Sequence, residues 1–223
     1  MKLQLVRKYT EAGEIVSFRF KPEKPLVWQA GQYLQYTLHV SGEPIEHFFT
    51  IASAPYEKEM MITTRVHAES PFKQTLNMME PGDTIDAIGL DGDFVWRDSD
   101  RPLIFIAGGI GITPFHSMIC ERAHSSPTIP VDLLYANRDD NIAFKPQFDE
   151  LSRAHPELRV SYLIDQQINE EVLREHFPEL TDSLVYVSGP EPMVEAMTEL
   201  LHGMGVQDHN LMRDDFPGYK ANE

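Results

Sequence analysis

The stretch from Pro102 to Pro114, reading PLIFIAGGIGITP, constrains this chain more than any other. Leu103 to Ala107 are consecutive apolar or small residues, the pattern of a strand covered on both faces. Gly108, Gly109 and Gly111 follow. Thr113-Pro114 then opens a helix, with Thr at the N-cap and Pro at the first helical position. A strand, a Gly-rich turn and a helix N-terminus together hold a pyrophosphate, because free helical N–H groups point at it. Gly109 and Gly111 let the backbone approach the phosphates. An ordinary strand-to-helix turn fits the same letters. Pro114 stands where the G-x-G-x-x-G fingerprint needs its third glycine, which points away from the usual dehydrogenases.

Two regimes lie on either side of Asp98–Pro102. Before it, short alternating segments are broken by turn residues, as in a small antiparallel barrel. Strands are predicted over 2–10, 13–20, 32–39, 48–53, 60–66 and 83–88, with a short Ser-capped helix from Ser70. After it, strands at 103–107, 131–135, 159–164, 183–188 and 211–213 alternate with helices at 114–123, 144–154, 170–176 and 192–204. That alternation means βαβ units on a parallel sheet. The predicted domains are 1–98 and 99–223.

Three segments carry a family resemblance. His47-Phe48-Phe49-Thr50-Ile51-Ala52-Ser53-Ala54-Pro55 resembles the flavin signature R-x-Y-[ST], followed by I-A-S-x-P, of the ferredoxin–NADP reductase superfamily. Gly108–Pro114 is similar to that superfamily's G-G-x-G-[IV]-[TA]-P. Tyr186–Met193, reading YVSGPEPM, resembles its C-G-P-x-x-M element. The three occur in the family's order and spacing. The resemblance implies an antiparallel Greek-key β-barrel that binds flavin, followed by an α/β parallel-sheet domain that binds NAD(P).

Roles follow residue by residue. The resemblance puts Phe49 on the isoalloxazine and the Thr50 hydroxyl near N5; barrel core is the competing reading for Phe48, Phe49 and Ile51. His47 departs from the motif's arginine. Histidine is mostly neutral near pH 7 and offers fewer donors, so flavin is expected to bind more weakly and with more pH dependence. Arg65 and Lys73 are candidate substitutes for the missing charge. Ser70–Leu76 resembles the phosphate-holding G-x-x-S-x-x-L, with Ser70 at the Gly position and Lys73 at the Ser position. Lys73 either supplies charge there or is a solvated lysine on an exposed helix face. Phe48, Thr64 and Phe72 complete the flavin-side candidates.

On the coenzyme side the resemblance assigns Gly108, Gly109, Gly111, Thr113 and Pro114 to the pyrophosphate. Ser188 replaces the family's cysteine beside the reacting nicotinamide, and Gly189-Pro190 starts the next helix close by. Arg138 suits a 2′-phosphate, whereas Asp139 or Asp140 suits a free 2′-hydroxyl, so NADPH and NADH both stay open. The ending Asp214–Tyr219 resembles [DE]-x-F-x-G-Y, which makes Asp215, Phe216 and Tyr219 candidates near the flavin. Thr50, Ser188 and Phe216 are the expected catalytic set. The scattered histidines show no metal-binding spacing.

Charge narrows the partners. The net charge is −16; residues 1–100 carry 10 Lys and Arg against 15 Asp and Glu, and the rest carry 9 against 20. Nucleic acid and anionic membranes demand basic surface and are excluded. Acidic ferredoxins and flavodoxins would be repelled, so a small acceptor, free flavin or a basic redox protein is favoured. The single cysteine, Cys120, excludes a disulfide framework or a four-cysteine iron–sulfur site and is read as a small buried residue. No apolar run reaches membrane-spanning length and no leader is recognised, so a cytoplasmic place is expected. No haem or iron–sulfur module is recognised either. The expected activity is hydride transfer from NAD(P)H to FAD (or FMN), then electron release to a separate acceptor such as a ferredoxin. One alternative is an NAD(P)H:flavin reductase using flavin as a loosely held substrate. Another is a non-catalytic nucleotide-binding or regulatory subunit.

Overall fold

A computed structural model of the chain describes residues 1–66, 69–126 and 128–216. It divides into two compact units, one of residues 1–96 with 116–125 and the other of 97–115 with 126–223. The linker therefore changes hands at Trp96/Arg97. Ten residues that follow the nucleotide turn in sequence group with the first unit.

The first unit is an antiparallel half-barrel. Its strands are β1 (Lys2–Ala12), β2 (Ile15–Pro22), β3 (Tyr33–Val40), β4 (Glu43–Thr50), β5 (Met60–Arg65) and β6 (Thr84–Asp91), in the order β4-β3-β6-β1-β2-β5. Helix α1 (Pro71–Met78) lies between β5 and β6 in sequence. Inward positions alternate along each strand: Leu3 and Leu5, Phe18 and Phe20, Leu34 and Tyr36, Met60 and Ile62, Ile85 and Ala87. Phe72 and Leu76, one turn apart on α1, enter the same core.

β4 begins five residues before the predicted strand at 48. Ser41 and Gly42 have φ of 54° and 90°, so a two-residue turn joins β3 to β4 in the register Val40↔Glu43. Pro44 is tolerated because β4 is an edge strand. Residues 51–53 leave the sheet instead of extending it.

The second unit is a five-stranded parallel sheet. β7 (Leu103–Gly108), β8 (Val131–Asn137), β9 (Leu158–Ile164), β10 (Leu184–Pro190) and β11 (Leu211–Phe216) lie in the order β11-β10-β7-β8-β9. The helices are α2 (Ile112–Ser125), α3 (Lys145–Ala154), α4 (Glu170–His176) and α5 (Glu191–Gly203). β7 is buried along its whole length, as its unbroken apolar run requires. Ile104, Ile106, Val185 and Val187 pack with Val194, Met197 and Leu201 of α5. Phe105 stacks on Phe115 at 4.6 Å and meets Tyr186 edge-on at 5.1 Å. The chain moves from β7 to β8 on one side, then returns to place β10 on the other. The sheet's switch point therefore lies between the C-terminal ends of β7 and β10, where open α/β sheets bind ligands.

Among the described residues, no helix is long and apolar enough to cross a membrane. Cys120 is buried, as expected.

Candidate functional site

In the first unit the ends of β4 and β5 and the start of α1 assemble one cluster. His47 and Phe49 are two apart on β4 and share a face; their rings stack at 5.9 Å. Phe72 of α1 stands 4.8 Å from His47 and 5.7 Å from Phe49. Thr50 closes the strand and is buried, as is Thr64 on β5. Phe48 is placed apart from them: it points to the other face, is 59% exposed and meets Tyr33 edge-on.

Ser70 caps α1, its hydroxyl accepting a hydrogen bond from the Lys73 N–H at 3.3 Å. Lys73 is only 6% exposed, which overturns the reading of a solvated surface lysine. Burial, and then the Arg65 guanidinium, push its ammonium pKa down to about 8. Burial, and then Lys73, also lower the proton affinity of His47. Arg65 reaches Glu14 at only 4.0 Å, and that carboxylate is largely exposed. Lys73 thus lies within electrostatic reach of both His47 and Arg65, and His47 stands beside the Phe49 and Phe72 rings. Basic groups that disfavour one another's charge gain most from an anion.

In the second unit the glycine turn is tighter than the sequence reading supposed. A 3-10 turn, Gly109–Gly111, runs straight into α2, which begins at Ile112. Thr113 is therefore not the N-cap. Its hydroxyl donates back to the Ile110 carbonyl at 3.1 Å, and Pro114 sits inside the first turn. The glycines divide their work. A Cβ on Gly111 would collide with the Ser188 carbonyl, and one on Gly108 would collide with the Met193 thioether. Gly109 has φ of 54° and nothing within 4 Å of its Cβ position. The protein's own packing thus requires a glycine at 111, whatever its backbone N–H meets. Gly109 keeps the open side for a ligand.

Ser188 is fully buried at the end of β10, and its hydroxyl donates to the Asp214 carboxylate at 3.1 Å. Gly189 packs against Met193 and Gly108 where β10 gives way to Pro190 and α5. Register sets Asp214 opposite Ser188, Asp215 opposite Gly189 and Phe216 opposite Pro190. Asp215 is exposed, so Asp214, which the sequence reading passed over, is the acid that reaches the buried hydroxyl. Phe216 contributes backbone to β11; Tyr219 lies outside the described residues. Arg138 is exposed just beyond β8, whereas the Asp139 carboxylate is tied into a turn by the Asn141 N–H at 3.0 Å. Among the described residues, no His, Cys, Asp and Glu group is placed to hold a metal ion.

The comparisons agree with this geometry. Residues 105–199 match the oxidoreductase NAD-binding domain family. The chain is 29% identical over 221 residues to a flavohemoprotein of Burkholderia sp. (strain TH2), covering 92% of this chain and 56% of that protein. It thus spans about half the length of the curated relatives of that kind. Among solved structures, the flavohem-like FAD/NAD binding domain of nitric oxide dioxygenase from Vibrio cholerae superposes with a TM-score of 0.87 at 19% identity, covering 96% and 98% of the two chains. A ferredoxin NADP+ reductase from Neisseria gonorrhoeae with bound FAD and NADP gives 0.83 at 17%, covering 96% and 98%. An antiparallel half-barrel joined to a parallel NAD-binding sheet defines a class of two-domain nucleotide-binding proteins. Residues 105–199 match the NAD-binding family within it, and the fold of the whole chain is similar to that of these reductase structures.

Proposed function

We propose that the protein is an NAD(P)H-dependent flavin oxidoreductase that binds FAD in the first unit and the coenzyme in the second. It passes electrons onward to a separate acceptor. The observation that carries this reading is the ring cluster of His47, Phe49 and Phe72 with the buried Lys73 next to Phe72 on α1, a constellation suited to a phosphate-bearing aromatic cofactor. The FAD and NADP bound by the gonococcal reductase support the choice of both ligands.

When bound, the flavin supplies the redox chemistry, taking up a hydride and releasing electrons singly or in pairs. The chain's own residues bind and orient. Phe49 offers a ring face and Thr50 a hydroxyl at the strand end. Lys73 and Arg65 neutralise phosphate, with His47 joining them when protonated. Gly109 admits the coenzyme pyrophosphate at the turn. Asp214 accepts a hydrogen bond from the Ser188 hydroxyl and so fixes it beside the switch point, where nicotinamide is to lie. Arg138 is exposed for a 2′-phosphate and Asp140 is equally exposed for a 2′-hydroxyl, so the turn suits NADPH and NADH alike.

A second reading has its own observation. The cations nearest the aromatic face are those whose protonation the fold disfavours, so flavin held loosely as a substrate is also consistent. A net charge of −16 favours an uncharged or basic acceptor over an acidic one. The test is the visible spectrum of the purified protein, followed by anaerobic addition of NADPH or NADH. Copurifying flavin bands that bleach with one of the two coenzymes are expected. A colourless protein that reduces added flavin would favour the second reading, and failure of both would end the enzyme proposal.

A further inference from the structure

We propose that His116, supported by Ser117, is a positioning residue of the flavin site, holding the backbone that carries Thr50. The inference rests on the flavin reading above. Residues 51–54 leave the sheet directly after Thr50. Their N–H side is tied to the half-barrel: Ile51 N–H donates to the Gln32 carbonyl at 2.9 Å, and Ala52 N–H to the Met61 carbonyl at 2.8 Å. The Ser53 hydroxyl donates to the Glu59 carbonyl at 2.7 Å and accepts from the Met61 N–H at 3.0 Å.

The carbonyl side is tied from α2. His116 Nδ1 lies 2.6 Å from the Ala52 oxygen, and the Ser117 hydroxyl donates to the Ser53 oxygen at 2.6 Å. Ala52, Ser53, His116 and Ser117 are all buried from solvent. A carbonyl only accepts, so Nδ1 carries the proton. Nε2 is then an acceptor, with the Cys120 thiol 3.6 Å away as a donor. The ring is thereby oriented with its Nδ1–H on the Ala52 carbonyl.

Nothing about the helix itself asks for an imidazole here. Residues 111–120 are buried without interruption, surroundings that an apolar side chain suits better. What asks for it is the pair of adjacent carbonyls at Ala52 and Ser53, which face a helix that spends its own N–H groups on itself. The α2 side chains of His116 and Ser117 reach them. With both faces of the segment tied, the end of β4 has one pose, and Thr50 with it.

The experiment uses the full-length protein and the variants His116→Leu, His116→Asn and Ser117→Ala. The readouts are amide hydrogen exchange at Ile51 and Ala52, visible circular dichroism of bound FAD, and the rate of its reduction by NAD(P)H. His116→Leu is expected to speed the exchange and slow the reduction, each by about tenfold, and to alter the flavin dichroism. His116→Asn, which keeps an N–H donor near the Nδ1 position, is expected to restore most of all three. Ser117→Ala is expected to act in the same direction more weakly, and it keeps the test valid if His116→Leu does not fold. Unchanged exchange and dichroism in both His116→Leu and Ser117→Ala would overturn the inference. So would His116→Asn behaving no better than His116→Leu, which would mark a packing role alone. A parent protein that takes up no FAD would instead overturn the flavin reading beneath it.

Discussion

The imidazole of His47 lies 4.8 Å from the ring of Phe72, centroid to centroid, and the next residue of α1, Lys73, lowers the proton affinity of that imidazole. Lys73 disfavours the His47 proton and Arg65 disfavours that of Lys73, so anion binding there is linked to protons. Lys73 is ordinarily protonated up to about pH 10.5, but in the folded protein only to about 8. Between those values the unfolded chain binds more protons than the folded one, so in the absence of ligand this group's contribution to stability rises with pH. Phosphate reverses the preference. FAD affinity is expected to fall as pH rises above about 8 and to increase in acid as His47 gains its proton. Fluorescence titration from pH 5.5 to pH 10 checks this; riboflavin, which lacks phosphate, should show no such profile.

Lys73→Met removes the buried charge. A charge-assisted hydrogen bond contributes about 1.5–3 kcal/mol, so FAD affinity should fall roughly 10- to 100-fold. The fall above pH 8 should vanish with it. Affinity unchanged in this variant would remove Lys73 from the phosphate site.

His47→Arg installs a cation whose charge does not titrate. Affinity for FAD should rise about tenfold and the acid limb of its pH profile should flatten. Equilibrium dialysis at pH 6 and pH 8 separates the two effects.

Gly109→Ala and Gly111→Ala should fail differently although only one residue separates them. At Gly111 a methyl group strikes the Ser188 backbone, so unfolding stability should drop by about 2–4 kcal/mol, visible as a lower Tm. At Gly109 the penalty is the positive φ alone, about 1–2 kcal/mol, and the loss should be in coenzyme KM. Equal melting losses with unchanged KM would refute the division of work between them.

Ser188→Ala and Asp214→Asn should both slow flavin reduction by about tenfold, with the double variant little worse than either single one. That non-additivity is the mark of residues acting as a unit. Stopped-flow bleaching with NADPH gives the rates; additive losses would mean that the 3.1 Å hydrogen bond has no part in the reaction.

Much of the fold was legible because its signals are local. β7 announces itself by a solid apolar run, and the half-barrel strands by alternation. What escaped depends on distant partners. β4 was read too short because Glu43, Pro44 and Glu46 look like a loop; its first half is made a strand by pairing with β3 at a sheet edge. The pairing of Asp214 with the Ser188 hydroxyl escaped because the facing of a short strand is set by its register with β10, not by its own letters. Thr113 resembles a cap only if the turn before it is ignored. His116 gave no sequence signal, since its carbonyl partner lies 64 residues upstream.

Residues 116–125 group with the half-barrel although they are made after the linker and β7. Sequence order and assembly order therefore disagree. At about 5–20 residues per second, the Ala52 and Ser53 carbonyls wait roughly 3 to 13 s on the ribosome for donors encoded 64 positions later. A gene cut at the linker would yield a first half permanently lacking them. Recombination that exchanges nucleotide-binding halves between such proteins must therefore also exchange a helix belonging to the flavin half, and only partners with matching latches would survive the exchange.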